Sequence, residues 1–567
     1  MKNAADTTAS PNAFLPAFVT GQNTGSGGGW VGATVFIALL VGAPVVFVLA
    51  HVFASSGGVW EHLAQTVLPL YIVNSLLLML GVGAGVMIGG VGTAWLVTMC
   101  RFPGKGILEW ALLLPMAMPA YVVAYTYTGL LDFAGPVQSA LREVFGWSSA
   151  RDYWFFEIRS LGGAIVVMSL VLYPYVYLLA RSAFLEQSVC VLEASRTLGR
   201  GPWQGFFKVA LPLARPSIAA GTALALMETL NDFGTVHYFA VDTFTTGIYR
   251  TWLGLGEPTA AAQLGAVLLL FVLTLVMIER VSRGTSRVHH TTARYRRLPG
   301  YQLTGWRCLA AQAFSFAAVF LGFALPASVL AWWSLRYSTV GLDFLPMVRN
   351  SFLLALVAAL AAVTVGVIMA YAQRLSPTPM TRSAVRLASF GYAIPGSVIA
   401  VGTLVPLGFI DNALSGFMSE RFGVTTGLLL TGSIVALVYA YLVRFLAVSF
   451  NGIEASLSKV TNSMEAASRT LGQGTMGTLR LVHIPLIRGA LLTAGLLVFV
   501  DVMKELPATL IMRPLNFDTL AVRTFSLASD ERLMDAATPA LVIVLVGLIP
   551  IIMLSYAIAR SRPGGKS

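Results

Sequence analysis

Ala194-Ser195-Arg196-Thr197-Leu198-Gly199 returns as Ala467-Ser468-Arg469-Thr470-Leu471-Gly472, an offset of 273 residues. Downstream the same offset pairs Val209 with Val482, Pro212 with Pro485, Arg215 with Arg488, Phe244 with Phe517, Thr246 with Thr519 and Arg250-Thr251 with Arg523-Thr524. Upstream it becomes 276, matching Asn74-Ser75 with Asn350-Ser351 and Met118-Pro119 with Ile394-Pro395. Self-similarity over such a length means a duplicated structural unit. Small insertions separate the two copies, and both run in the same direction.

What surrounds the repeat is apolar. The 567 residues are 56% hydrophobic and 11% charged, with a mean hydropathy of +0.77, whereas a soluble domain carries about 25% charged residues. An ordinary soluble enzyme is excluded. Apolar runs fall at about 31–54, 70–98, 107–130, 161–184, 214–239, 261–279, 307–332, 350–373, 386–410, 427–450, 487–511 and 538–558, each able to cross a hydrocarbon core about 30 Å thick. The expected fold is an all-α membrane protein, with twelve transmembrane helices in two parallel pseudo-symmetric six-helix halves. Residues 1–30, polar and ending in a glycine-rich run, read as a flexible cytoplasmic tail without the features of a signal peptide. Residues 31–280 make the first half, 281–306 a basic cytoplasmic linker, and 307–567 the second half.

The net charge of +12 is distributed over alternate connections. These hold Arg101 and Lys105; Arg196, Arg200, Lys208 and Arg215; Arg280, Arg283, Arg287, Arg294, Arg296, Arg297 and Arg307; Arg374, Arg382 and Arg386; Lys459, Arg469, Arg480 and Arg488; then Arg560, Arg562 and Lys566. Such alternation marks cytoplasmic loops rather than a nucleic-acid surface, and it places both termini in the cytoplasm. Cys100, Cys190 and Cys308 stand far apart and read as free packing thiols.

Each copy of the hexapeptide lies in a long connection before the fifth helix of its half. Its composition favours a short helix ended by Gly199 or Gly472. A second short amphipathic piece follows, with Trp203, Phe206 and Phe207 in the first half, closing with Val209-x-Leu211-Pro212 or Val482-x-Ile484-Pro485. Two short helices with apolar side chains exposed suit insertion into a partner's groove, or a helical cap packed on the membrane domain.

Glu193-Ala194-Ser195, then Gly199, then Val209-x-Leu211-Pro212 resembles the EAA loop of bacterial ABC importer permeases. In the second half Ala467, Gly472 and Pro485 keep the spacing, but Glu465 stands where Leu192 aligns, one residue early. One residue is about 100° around a helix. The resemblance implies a type I permease in the bacterial inner membrane, with Glu193, Ala194, Gly199, Pro212, Glu465, Ala467, Gly472 and Pro485 coupling it to two cytoplasmic ATPase subunits. It also implies a periplasmic substrate-binding protein. No Gly-x-x-x-x-Gly-Lys-Ser/Thr loop occurs, since Gly564-Gly565-Lys566-Ser567 has Arg560 where the first glycine is needed. The chain is therefore expected to be a transport subunit with no cofactor of its own, ATP and Mg being bound by the partners.

Lys504-Glu505-Leu506-Pro507-Ala508-Thr509-Leu510 and the following 513–521 are similar to fused permeases of ferric-iron importers. Thiamine, phosphonate and polyamine permeases of the same class, and a proton-coupled secondary transporter, are the alternatives. Glu228 and Asp232 in the fifth helix match Asp501 and Glu505 in the eleventh, each pair at i, i+4 and so on one helix face. Charged groups deep in a membrane face a bundle interior or a water-filled path. These four carboxylates are the candidate translocation residues, with pairing to Lys504 and Asn231 as the structural alternative. Hard oxygen ligands suit a hard cation. Tyr173 and Tyr175 in the fourth helix recur as Tyr439 and Tyr441 in the tenth, packing elements or phenol ligands. His237, His483 and His289-His290 form no metal-ligand spacing, and the metal ligands are left unassigned. Arg250 and Arg523, matched across the repeat, are expected to face the binding protein or anchor the interface.

Overall fold

The computed structural model describes residues 24–186, 197, 201–283, 300–337, 341 and 344–560. Among these, eleven helices are long and apolar enough to span a membrane, and a bent pair supplies a twelfth span. The first half contains α1 (Thr24–Ala50), α2 (Leu68–Met99), α3 (Lys105–Ala111), α4 (Ala120–Leu131), α5 (Pro136–Phe145), α6 (Leu161–Glu186), α7 (Leu211–Asn231), α8 (Gly234–Tyr238), α9 (Phe244–Tyr249) and α10 (Pro258–Arg283). The second contains α11 (Trp306–Tyr337), then α12 (Phe344–Leu375), α13 (Pro379–Ser389), α14 (Gly396–Phe422), α15 (Ile434–Leu457), α16 (Asn462–Thr470), α17 (Ile484–Met503), α18 (Pro507–Met512), α19 (Leu520–Ser529) and α20 (Leu533–Arg560).

Each half is built around one close helix pair, α2 with α6 and α12 with α15. Small residues let the backbones approach. A Cβ on Gly90 would stand 2.9 Å from the Tyr177 amide nitrogen, and one on Gly366 would stand 3.4 Å from that of Phe450. The first helix of each half reaches into the other: α1 packs on α12, α13 and α14, while α11 packs on α4 and α6 as well as α20. Two tyrosines fasten these crossings. Pro44 has no N–H for the Leu40 carbonyl one turn earlier, and the Tyr439 hydroxyl donates to that oxygen at 2.5 Å. The Tyr127 hydroxyl donates at 2.6 Å to Leu321, inside a π-helical stretch of α11 (Phe320–Ala324), where Pro326 likewise offers no N–H.

Several boundaries differ from the sequence expectation. α1 begins at Thr24, so the glycine run lies inside a helix rather than in the tail. The 107–130 run is not straight: it bends by 93° at the break around Met118-Pro119, because the residue before proline is driven out of the helical region. The expected 386–410 and 427–450 spans lie further along, at α14 and α15. The first expected span starts inside the amphipathic α13 and stops one residue short of Asp411, which lies within α14. Asp411 is buried there, accepting from the Leu429, Leu430 and Thr431 amides. The second pieces of the repeat loops run straight into α7 and α17 through matching π-helical stretches, Phe206–Ala210 and Leu479–His483. The fold is also not purely helical: Cys100–Arg101 (β1) pairs in parallel with Tyr301–Gln302 (β2), bringing the end of the linker onto the first half. Cys100 is free and buried there, and burial pushes its thiol up to about 11. Cys308 is free, and Cys190 lies outside the described residues.

Candidate translocation site

The fifth span of each half breaks at its candidate carboxylates. α7 stops at Asn231 and Asp232 turns extended, with ψ 132°. The Asp232 carboxylate then caps α8, accepting from the Thr235 amide at 2.9 Å, the Val236 amide at 3.2 Å and the Thr235 hydroxyl at 3.0 Å. Glu505 repeats the device on α18, with the Ala508 and Thr509 amides at 2.9 and 3.0 Å and the Thr509 hydroxyl at 2.6 Å. A helix N-terminus favours such anionic caps. The i, i+4 expectation is therefore corrected: Glu228 and Asp501 end one helix, whereas Asp232 and Glu505 begin the next.

All four carboxylates nevertheless line one cavity of about 110 Å³ between the halves. Tyr121, Tyr175 and Asn231 join them from the first half, and Tyr392, Arg444 and Lys504 from the second. The Asn231 side-chain oxygen accepts from the Gly396 amide at 2.7 Å and from Arg444 Nη1 at 2.8 Å, both across the interface. Arg444 Nη1 also lies 3.4 Å from Glu505 Oε1. Lys504 Nζ pairs with Asp501 Oδ1 at 2.9 Å, and the Tyr392 hydroxyl donates to Glu228 Oε1 at 3.1 Å. Of the two structural partners named from sequence, Lys504 pairs with Asp501, while the Asn231 bonds described go to Gly396 and Arg444; all four carboxylates remain on the cavity.

Arg444 and Tyr392 were not singled out from sequence. A lone arginine inside the 427–450 run was the available signal, because an ionisable side chain there has to face an interior. The tyrosine match is corrected as well. Gly90 faces Val176 and Tyr177 where Gly366 faces Ser449 and Phe450, so the α6–α15 register is 273 and aligns Tyr173 with Leu446 and Tyr175 with Val448. The sequence match of Tyr173 and Tyr175 to Tyr439 and Tyr441 is two turns out. Of these four only Tyr175 lines the cavity. Tyr439 holds α1, and Tyr441 shares a 2.5 Å hydrogen bond with Thr509. Among the described residues, no three His, Cys, Asp or Glu side chains are placed to hold a metal.

The repeat loops are described unequally. Glu193, Ala194 and Gly199 lie outside the described residues, while Pro212 is exposed at the start of α7. In the second loop, α16 carries Glu465 facing inward, where it pairs with Arg374 of α12 and with His483 Nε2 at 3.1 Å. Arg374 also donates to the Val460 carbonyl at 2.6 Å. The repeat aligns Arg374 with Thr98 and His483 with Ala210, so the two residues that hold the displaced glutamate are not repeated at the matching positions of the first half. Ala467, Gly472 and Pro485 stay exposed, Gly472 with φ +78°. Leu471 is 80% exposed, and Trp203 and Phe207 stack with 6.2 Å between ring centroids on the first-half loop.

On the opposite face, Arg159 of the first half grips Glu531 of the second with both guanidinium branches, at 2.9 and 3.0 Å, and lies 3.4 Å from Asp132. The Arg159 hydrogen bond holds the Glu531 carboxyl below its usual range. Arg250 pairs with Asp242 at 2.8 Å, and Arg523 is half-buried. His237 packs on Phe233 and Phe525 outside the cavity.

Residues 81–287 match the family described as binding-protein-dependent transport system inner membrane component. The chain is 26% identical over 91% of its length to the Fe(3+)-transport system permease protein FbpB 2 of Haemophilus influenzae, covering 97% of that relative. It is 24% identical over 84% of its length to the ferric transport system permease protein FbpB of Actinobacillus pleuropneumoniae, covering 71%. Over 34% of its length it is 31% identical to the molybdenum transport system permease protein ModB of Escherichia coli, covering 84%. A duplicated membrane fold, a shared central cavity and these likenesses lead to one assignment: this chain belongs to the inner-membrane permease components of binding-protein-dependent transport systems.

Proposed function

We propose that this chain is the permease of an ATP-driven importer that moves ferric iron from periplasm to cytoplasm through the central cavity. The observation that carries the reading is the set of four carboxylates, two from each half, on one cavity at the interface. Oxygen donors of this kind suit a hard cation, and relatives that match across both halves are named for ferric transport. The size argues in the same direction: about 110 Å³ is well below the roughly 300 Å³ or more of pockets for drug-sized organic molecules, which counts against thiamine and polyamines.

Both termini and the repeat loops lie in the cytoplasm in this reading, in accord with the basic connections. Two partner ATPases grip the loops around Gly199 and Gly472 through the exposed apolar side chains, and a periplasmic binding protein delivers cargo to the face that carries Arg159. Rocking of the halves about their interface then exposes the cavity alternately to either side. The Asn231 contacts to Gly396 and Arg444 part as the halves separate.

A second reading, import of an oxyanion, is favoured by Arg444 and Lys504 in the same cavity and by the relative named for molybdenum. Uptake of radiolabelled ferric iron, molybdate and thiamine in cells with and without the chain tests all three. Loss of iron uptake alone supports the proposal; loss of molybdate uptake alone transfers it to the second reading. Uptake that survives deletion of the partner ATPase and collapses with the proton gradient would overturn the ATP-driven mechanism.

A further inference from the structure

The two cations in the cavity are held very differently. Arg444 is clamped: its side chain is 6% exposed, and it is fixed by the Asn231 side-chain oxygen and by Glu505. Lys504 has one ion-pair partner described, Asp501, and its side chain is 29% exposed. A lysine ammonium is a compact charge on a four-carbon stem that can swing.

Neither cation has a counterpart in the first half, where register places Asn231 opposite Lys504 and Val171 opposite Arg444. Glu228, matched to Asp501, has instead a phenol from across the interface, that of Tyr392 at 3.1 Å. A further phenol faces the cavity: Tyr121 is 5% exposed, and its hydroxyl has no hydrogen-bond partner among the described residues. A buried hydroxyl left unsatisfied in a polar cavity calls for a partner the protein does not supply. The cavity thus presents oxygen donors from both halves and already contains a positive charge held by a single described ion pair.

We propose that Lys504 is a tethered counter-cation, holding the cation position beside Asp501 and Glu228 while the cavity is empty and yielding it to an incoming hard cation. The inference rests on reading the cavity as the path of a hard cation. An ammonium and a multivalent cation repel each other at bonding distance from the same carboxylates, so occupancy by one opposes the other. Entry of cargo requires Lys504 to swing out, and its return helps to expel the cargo. Because Glu228 and Tyr392 belong to opposite halves, separating the halves also pulls the ligand set apart.

Terbium(III) is a hard trivalent probe whose emission is sensitised by nearby aromatic rings. It is titrated into the full chain, reconstituted in lipid with its partner subunits, with excitation of the aromatic side chains. Lys504→Met is expected to bind terbium about tenfold more tightly than the parent or better, a modest demand for removal of a unit charge beside a trivalent ion. Lys504→Arg, which keeps the charge, is expected to stay near the parent, and adding Glu228→Gln to Lys504→Met is expected to abolish the gain. Lys504→Gln serves where Lys504→Met does not assemble. Equal affinity of the parent and both neutral variants would overturn the proposal, as would a gain that survives Glu228→Gln. The titration is read without transport, so failure of ferric uptake beside the expected terbium result rejects the cargo and keeps the counter-cation.

Discussion

The two arms of the cavity carry the same carboxylates and differ in what accompanies them. On the first-half arm Glu228 and Asp232 flank Asn231; on the second, Asp501 and Glu505 flank Lys504, with Arg444 beside them. The backbone break and the capping of the next short helix are common to both, so duplication preserved the scaffold. Positive charge is confined to one side. A two-fold scaffold can therefore hold a one-sided site, and the cavity's chemistry follows the fold's symmetry only for its acids. In the second repeat loop Glu465 pairs with Arg374 and His483, at positions where the first half carries Thr98 and Ala210.

The largest effect is expected where both arms are altered at once. Replacing Asp232 with Asn and Glu505 with Gln together is expected to lower uptake by more than tenfold while the chain still assembles with its partners; normal uptake would reduce both residues to helix caps. Breaking only the second arm comes next. Arg444→Ala leaves Glu505 buried without its cation, at a cost of about 3–5 kcal/mol, whereas Val171→Ala at the matched position costs roughly 1–2 kcal/mol of burial. Thermal unfolding in lipid measures both, and equal losses would remove the asymmetry. In the loops, Gly472→Val forces a branched side chain into left-handed backbone at about 1–2 kcal/mol and is expected to weaken ATPase association. Gly199→Val tests whether the first loop makes the same turn.

The smallest effect belongs to the Arg159–Glu531 pair, an exposed contact worth under about 1 kcal/mol. Its folded-state carboxyl is lowered, so the stabilisation is present above the ordinary carboxylate range and fades as pH falls through that lowered value. Glu531→Gln is expected to remove this acid-side dependence of the unfolding temperature and leave the neutral-pH value within a degree or two.

The span count and the parallel repeat were legible because they rest on length, hydropathy and spacing. Local breaks were not, since apolar composition continues unchanged through Met118-Pro119 and past Asp232, and only backbone geometry separates a bent helix from a straight one. The four carboxylates were found because charge in a span is conspicuous. Tyr392 was missed because a tyrosine among apolar residues has no such signal, and Tyr175 was matched to the wrong partner because two aromatic pairs outweighed a register that depends on where Gly90 and Gly366 touch. Glu465 looked displaced until Arg374 and His483, distant in sequence, were seen beside it.

The β1–β2 pairing has a consequence for how the gene can be cut. Tyr301 and Gln302 are hydrogen-bonded to the first half at Cys100 and Arg101, and α1 and α11 each reach into the opposite half. Covalent continuity through 284–299 is therefore redundant for holding the halves together. Two separately expressed polypeptides, divided within that stretch, should find each other in the membrane and purify as one particle.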